Sequence, residues 1–368
     1  MTFKRIISSL LLSAVCIGLL ASCAADTSPA VFSLDKYKIT ANMYNYWAST
    51  SKANFLSSDK SVSDTAEFWE SEYSEGVTFG EYCDSLIWND VKKTLVCMKL
   101  FDDEKLQLSD ATVKTIDDGI QMYLSDYADG NKNTFNATLA KYGANMDILR
   151  NIYIAEAKRE MLYTHLYGEG GRLALTDAQK EEYFANKYCH MQIIYINDKF
   201  EQVTDDEGNY VMNADGSYAT RALSEDEAKK KKESIEVVKN GLAAGESFEA
   251  LYEKYSEMKK YEKGYYYSVD ASYTSSLFNK LAAEASKIEV GATTVFEDEG
   301  GTYIMKRLAN GEGDWKNEEY ADFFPDFESI ASLASFAEYI EPYMAQITVN
   351  TEKLGEYSIS SVTPNYSF

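Results

Sequence analysis

The feature that most constrains the fold is a change of period in the sequence at Tyr188. Before this residue, apolar side chains recur at three- and four-residue steps, which is typical of amphipathic helices with one buried face. The run Tyr188–Ile196 is rich in β-branched and aromatic residues and too short for a long helix, so it predicts a strand. A helical pattern returns over 327–347. We therefore predict an α+β fold in which a mixed domain is inserted into a mostly α-helical one.

Capping signals divide the helical pattern into separate elements. A long helix is predicted from the apolar positions between Phe79 and Phe101, and a short helix over 135–142 is predicted to end at Gly143. Further helices are predicted to begin after residues whose side chains accept hydrogen bonds from the unpaired backbone N–H groups of a helix's first turn. These residues are Ser109, Asn145, Thr176, Ser224 and Ser247.

Within the mixed part, strands alternate with helices. Residues 205–221 are polar and contain turn sequences, which predicts a small hairpin arm in which 210–212 pairs with 217–219. Later strands are predicted at 295–296 and 302–305. The acidic stretch 205–215 lacks the alternating ligand positions of a calcium loop, so we expect a solvated hairpin there.

The first residues predict an export signal. Lys4 and Arg5 precede an apolar run over 6–20, which is shorter than the roughly 20 residues that a membrane-spanning helix needs. The tetrapeptide Leu20-Ala21-Ser22-Cys23 resembles a lipobox, with Cys23 as the lipidated first residue of the mature chain. A cleaved signal without lipid is the alternative. We expect a lipid-anchored protein on the extracytoplasmic side of a bacterial cell membrane.

The predicted organisation follows from these patterns. Residues 1–22 form the signal peptide and 23–30 the tether, followed by a helical domain over 31–186. The α+β domain covers 187–310, with a hairpin insertion at about 198–222, and 311–368 is a C-terminal helical segment. Because an isolated amphipathic helix is not stable in water, this segment is expected to pack on the N-terminal domain.

Composition argues against several classes of protein. The formal charge is −23, and removal of Lys4 and Arg5 with the signal makes it −25, whereas nucleic-acid binding requires a basic surface. Only two histidines are present, and Cys83, Cys97 and Cys189 are not spaced like metal ligands. We therefore expect no nucleic-acid partner, no metal and no cofactor.

Short motifs in the mixed part carry a family resemblance. His190 lies among aliphatic residues on the first strand, Gly245-Glu246-Ser247-Phe248 and Tyr255-Ser256 lie on the second helix, and Gly291 precedes the final strands. Residues 188–308 resemble a parvulin-type peptidyl-prolyl isomerase domain, and the whole chain resembles the PrsA/SurA-like foldases. The helical part, with Leu149-Arg150 and Leu175-Thr176-Asp177, is similar to the chaperone domain of these proteins.

The resemblance implies catalysis of rotation about X-Pro bonds in unfolded secreted proteins, a slow step in folding. Parvulins use paired histidines, a cysteine or aspartate, and a hydrophobic shelf. Here His190 matches the first histidine and Tyr303 stands at the second, while Met258, or Glu257 with a one-residue shift, occupies the cysteine or aspartate position. The shelf matches Leu277, Phe278 and Leu281.

The resemblance therefore implies a catalytic set of His190, Met258 and Tyr303. The Tyr303 hydroxyl is able to hydrogen-bond His190 in place of the second histidine. Two polar positions depart from the family pattern, which predicts weak or absent isomerase activity. A core role for His190, and a packing role for Met258, Phe278 and Tyr303, are the simpler alternatives.

We expect a membrane-anchored folding factor whose partners are unfolded or exported polypeptides, with or without isomerase catalysis. The alternatives are a non-catalytic chaperone and a structural or ligand-binding surface lipoprotein that retains the fold. The sequence leaves the oligomeric state open, a dimer included.

Overall fold

A computed structural model describes residues 26–58, 62–205, 207–214, 216–260, 263–270 and 276–368. Cys23 and the predicted lipobox lie outside the described residues. The chain divides into two compact units: the first comprises the residues up to Ala174 together with Ser332–Phe368, and the second is Leu175–Ala331. The fold class is α+β and mostly helical, as predicted.

The N-terminal part of the first unit combines small strands with long helices. The helix starts predicted at Ser109 and Asn145 are observed, since both side chains accept a backbone N–H in the first turn. Thr78 and Glu81 form a capping box that was not predicted. The elements are β1 (Ala30–Leu34), β2 (Tyr37–Thr40), α1 (Ala41–Ser58), α2 (Ala66–Glu70), β3 (Glu72–Ser74), β4 (Val77–Thr78), α3 (Phe79–Asp103), α4 (Asp110–Ala128), α5 (Lys132–Leu139) and α6 (Met146–Tyr167).

The second unit contains a four-stranded antiparallel sheet covered by helices. Its elements are α7 (Asp177–Lys187), β5 (Tyr188–Ile196), β6 (Phe200–Gln202), β7 (Thr220–Ala222), α8 (Glu225–Ala243), α9 (Phe248–Tyr255), β8 (Tyr265–Ser268), α10 (Leu277–Ala285), β9 (Thr293–Asp298) and β10 (Gly301–Leu308). The strand order is β8-β5-β10-β9. Side chains of α10 pack on one face of this sheet, and those of α8 and α9 pack on the other.

The chain then returns to the first unit. The unit boundary falls within α11 (Phe327–Met344), which is followed by β11 (Thr348–Val349) and α12 (Thr351–Leu354). Phe32 of β1 pairs with Val349 of β11, so the order β11-β1-β2 joins residues more than 300 positions apart. This small sheet was not predicted, because neither short strand shows a strand period of its own.

Both domain boundaries differ from the predicted ones. The second unit begins at Leu175 rather than 187, because the buried Phe184 of α7 packs with Tyr266 and Phe324. Residues 311–331 also belong to the second unit, where the Trp315 indole donates to Glu181 at 2.8 Å. The segment Ser332–Phe368 belongs to the first unit.

The hairpin arm of the second unit lies within the insertion predicted at about 198–222. β6 pairs with β7, and two isolated bridges, Thr204↔Tyr210 and Met212↔Tyr218, extend the pairing. Cys83, Cys97 and Cys189 are buried free thiols. Over the described ranges, the structure contains no helix that is both long and apolar enough to cross a membrane.

Candidate functional site

One face of the sheet in the second unit carries half-buried aromatic and apolar side chains. They cover a buried layer that includes Met191, Ile193, Tyr265 and Leu281. We call the covering set the aromatic face; it consists of Tyr195, Met258, Tyr267, Val269, Leu277, Phe278, Phe296 and Phe323. The buried layer fixes the positions of these rings, while their outer surfaces remain accessible to solvent.

The helix α10 brings Phe278 onto this face. Ser276 caps the helix, and the buried Asn279 amide donates to the Ser268 carbonyl of β8 at 2.7 Å. This bond ties the first turn of α10 to β8, so the Phe278 ring stacks on Tyr267 with centroids 4.7 Å apart and an interplanar angle of 15°. Phe323 meets the same tyrosine edge-on at 5.9 Å. Offset and edge-on pairs of this kind add about 0.5–1.5 kcal/mol each beyond burial.

The segment after α9 brings Met258 to the other end of the face. The Glu257 amide donates to the Tyr195 carbonyl at 2.8 Å, and the Tyr195 amide donates to the Ser256 hydroxyl at 3.2 Å. The same hydroxyl donates to the Met258 carbonyl at 2.9 Å. Residues 256–258 are thereby held against β5, with the flexible Met258 thioether beside aromatic rings.

Tyr303 also belongs to this side of the sheet, but it is buried. It lies opposite Tyr195 in the β5–β10 register, and the two rings stack with centroids 4.9 Å apart. Burial raises the pKa of both hydroxyls, that of Tyr195 to about 12, and it raises the pKa of the nearby Cys189 thiol to about 11. Each of these groups is therefore neutral near pH 7.

His190 lies on the opposite side of the sheet. Along β5 it alternates with Cys189 and Met191, and it stacks on Tyr266 with centroids 4.1 Å apart, beside the edge of Tyr320. Its Nδ1 is 3.1 Å from the Ala309 carbonyl oxygen, and its Nε2 is 2.9 Å from that of Lys263. Successive side chains of a strand point to opposite faces, so His190 does not reach the aromatic face.

The surroundings of His190 are those of a core side chain. Burial lowers the pKa of its imidazole, although both neighbouring carbonyls favour the charged form. Gly264 has φ +106°, and a Cβ there would lie 2.7 Å from Nε2, so this turn requires glycine. A neutral imidazole has one N–H and donates to one of the two carbonyls.

The structure thus separates the residues that the resemblance implied as one catalytic set. Met258 and Tyr303 lie on the same side of the sheet, whereas His190 lies on the other, and the predicted Tyr303–His190 hydrogen bond is wrong. Of the predicted shelf, Leu277 and Phe278 are half-buried, while Leu281 is fully buried and only supports the rings.

Sequence reasoning did not identify Tyr195 and Phe323 as members of this surface. Tyr195 carries a usable signal, because it continues the alternation of Cys189, Met191 and Ile193 along the strand. Phe323 is the last residue of a short 3-10 helix and reaches the face only through tertiary packing.

The first unit contains a second polar and aromatic site, formed by α1, α3 and α6. The Trp47 indole donates to the Glu156 carboxylate at 2.9 Å, and the hydroxyls of Tyr46 and Tyr153 lie 3.5 Å apart. Arg159 forms an ion pair with Asp90 at 2.8 Å. Glu156 is exposed, and desolvation by the surrounding protein raises the pKa of its carboxyl.

Fold and site together define a two-unit α+β protein that presents an aromatic face whose nearby tyrosine and cysteine side chains are neutral near pH 7. No family model matches the chain, and no curated protein matches it. Among solved structures, it is similar to PrsA from Bacillus subtilis, with 19% identity, coverage of 72% of this chain and 88% of that chain, and a TM-score of 0.25.

Two further PrsA structures are similar over comparable lengths. The foldase protein PrsA from Streptococcus pneumoniae has 16% identity, coverage of 77% of this chain and 96% of that chain, and a TM-score of 0.24. The peptidylprolyl isomerase (PrsA) from Bacillus cereus has 16% identity, coverage of 76% and 93%, and a TM-score of 0.29. TM-scores this low carry no argument about the activity or partners of this chain.

Proposed function

We propose that the chain is an extracytoplasmic folding factor, tethered to the membrane through Cys23, that holds apolar segments of unfolded exported proteins on its aromatic face. The observation that supports the proposal is the layer of half-buried aromatic rings, which includes the stacked pair Tyr267 and Phe278 and packs on fully buried side chains. Preorganised aromatic rings offer large apolar contact area at low cost in side-chain entropy.

The chemistry of the face favours binding over catalysis. Catalysis of X-Pro rotation requires polar groups that stabilise the twisted amide. His190 of the implied catalytic set lies on the other side of the sheet, and the Cys189 thiol near the face is neutral near pH 7. Besides burial, the charges of the Glu257 and Asp298 carboxylates raise the pKa of the Tyr195 hydroxyl. The proposed factor is therefore a holding chaperone with weak or no isomerase activity.

The family resemblance and the signal sequence support the location and the type of client. The resemblance rests on the motifs between 188 and 308, and the tether rests on the lipobox at Cys23. An acidic body repels anionic lipid, so the acyl chains alone would hold it at the membrane.

An aggregation assay tests the proposal. Purified residues 24–368 are mixed with a chemically denatured test protein, and light scattering is followed at several ratios. We expect suppression by the wild type, and weaker suppression by Phe278→Ala, with about tenfold weaker binding of an unfolded peptide because a central aromatic contact is removed.

Tyr255→Ala is the matched control, because Tyr255 is a half-buried aromatic residue on the other side of the sheet. Circular dichroism checks that each variant is folded. No suppression by the wild type at any ratio would contradict the proposal. Robust turnover of a proline peptide that is lost in His190→Ala would contradict the non-catalytic form of it.

A further inference from the structure

The 358–368 segment of the first unit lies on the helices of that unit without forming a helix or strand of its own. Hydrogen bonds to its backbone hold it in place. The Ile359 amide donates to Asp84 at 2.7 Å, Lys52 donates to the Val362 carbonyl at 2.9 Å, and the Asn365 amide donates to the Ser49 carbonyl at 2.9 Å.

Phe368 is surrounded by four aromatic rings, which we call the Phe368 cage. The centroid of Phe368 lies 5.8 Å from that of Tyr123, 4.8 Å from Tyr127, 5.5 Å from Phe135 and 6.3 Å from Tyr142. All four rings meet it edge-on, at interplanar angles of 60–82°. The cage residues come from α4, α5 and the 3-10 helix Ala140–Tyr142.

The Phe368 cage has core residues on one side and a solvent-exposed ring on the other. Phe135 and Tyr142 belong to the buried core of the unit, whereas Tyr127 is 47% exposed even with Phe368 in place. Phe368 itself is only half-buried, and Tyr366 beside it is 64% exposed. The ring of Phe368 therefore occupies an open-sided site against the core.

Residues 363–368 have the features of a bound peptide. Ile359 and Val362 belong to the buried core, whereas the residues after Val362 are irregular and are held by the Asn365 amide, which donates to the Ser49 carbonyl at 2.9 Å, and by the ring of Phe368. Asn365 turns the end of the segment into the cage, since its side-chain oxygen accepts from the amides of Ser367 and Phe368 at 3.2 Å.

We infer that the Phe368 cage is a binding site for an extended polypeptide segment that carries an aromatic side chain, and that residues 363–368 compete for it as an internal ligand. This inference rests on the proposed client-binding function and assigns to it a second site with a built-in competitor. Because the competitor is part of the same chain, its effective concentration at the cage is high. The apparent affinity for an external segment is therefore reduced in proportion to the fraction of molecules in which Phe368 has left the cage.

A peptide-binding experiment tests the competition. The probe is a fluorescein-labelled peptide with the sequence of residues 363–368, and its anisotropy is measured with the full chain. We expect at least about tenfold tighter binding to Phe368→Ala, and to a chain that ends at Val362, than to the wild type. Addition of Tyr127→Ala to Phe368→Ala should abolish this gain, because Tyr127 forms the wall of the cage nearest to Phe368.

Tyr366→Ala is the matched control, since it removes an exposed aromatic ring from the same segment and should bind the probe like the wild type. A probe in which alanine replaces its phenylalanine should not discriminate between the chains. Equal affinity of the wild type and Phe368→Ala for the intact probe would overturn the inference.

The aggregation assay separates this inference from the proposed function. If both hold, Phe368→Ala suppresses aggregation at a lower ratio than the wild type. If the wild type suppresses aggregation and Phe368→Ala does so no better, competition with clients is overturned while the proposed function stands. If neither chain suppresses aggregation, the proposed function fails, and the affinity of the labelled peptide still decides whether the cage exchanges its ligand.

Discussion

Replacement of Asp84 by asparagine should stabilise the first unit at neutral pH. Asp84 of α3 accepts a hydrogen bond from the Ile359 amide, and burial raises its pKa from the ordinary 3.8 to about 6. Near pH 7 the folded unit therefore holds a carboxylate that is less favourable there than in the unfolded chain. Asparagine keeps a side-chain oxygen for the Ile359 amide and removes the charge.

The expected gain follows from the pKa difference. About two pKa units at 1.36 kcal/mol each correspond to about 3 kcal/mol, and we reduce this to about 1–2 kcal/mol because solvent partly reaches the carboxylate. A raised carboxyl pKa stabilises the fold only while the group is protonated. The wild type therefore loses this contribution as the pH rises from about 4 to about 6, and the advantage of Asp84→Asn should be complete above pH 6 and nearly absent at pH 4.

Urea unfolding followed by tryptophan fluorescence measures this effect. Three of the four tryptophans, Trp47, Trp69 and Trp88, belong to the first unit, so the signal mainly follows that unit. Asp126→Asn, at an exposed position of α4, is the matched control and should change stability little at either pH. The reasoning is refuted if Asp84→Asn is no more stable than the wild type at pH 7.5, or if its advantage is the same at pH 4.

Two further substitutions test other parts of the structure. Burial lowers the pKa of His190 below 6.5, so the wild type should lose stability as the pH falls below 6.5. His190→Gln should lose less stability between pH 7 and pH 5, and it should cost about 1–2 kcal/mol of unfolding free energy at pH 7. An unchanged pH dependence of urea unfolding in this variant would contradict the reasoning. The buried ammonium group of Lys52 donates to the Val362 carbonyl and pairs with the partly exposed Asp64 at 2.7 Å. Lys52→Met should therefore destabilise the first unit by about 2–3 kcal/mol and speed amide hydrogen exchange in residues 358–368. Unchanged exchange in that segment would show that Lys52 does not anchor it.

The positions of most helices could be predicted from the sequence, because their signals are local. The caps at Ser109, Asn145 and Thr176 act on amides within three residues, so a short window contains the information. The first strand of the mixed domain was predicted for the same reason, since its composition alone distinguishes it from a helix.

The candidate site could be predicted only in part. Leu277 and Phe278 were identified through the family resemblance, and the structure places them on the aromatic face. His190 was assigned to the same site, but the side of a sheet that a residue faces depends on strand register and on which helix covers that side. A shift of one residue along a strand moves a side chain to the other face of the sheet. An alignment to a family motif that is shifted by one residue therefore assigns the site to a side chain on the wrong face.

Local patterns in the sequence by themselves determined the α+β class, the helix starts and the polar hairpin arm. Only the tertiary structure decided the pairing of Phe32 with Val349, the separation of His190 from Met258 and Tyr303, and the contacts of Phe368 with four aromatic rings. The physical reason is the separation along the chain over which each kind of interaction acts. Capping and periodicity act between neighbours along the chain, whereas strand pairing and ring packing depend on groups that are brought together only when the chain has folded.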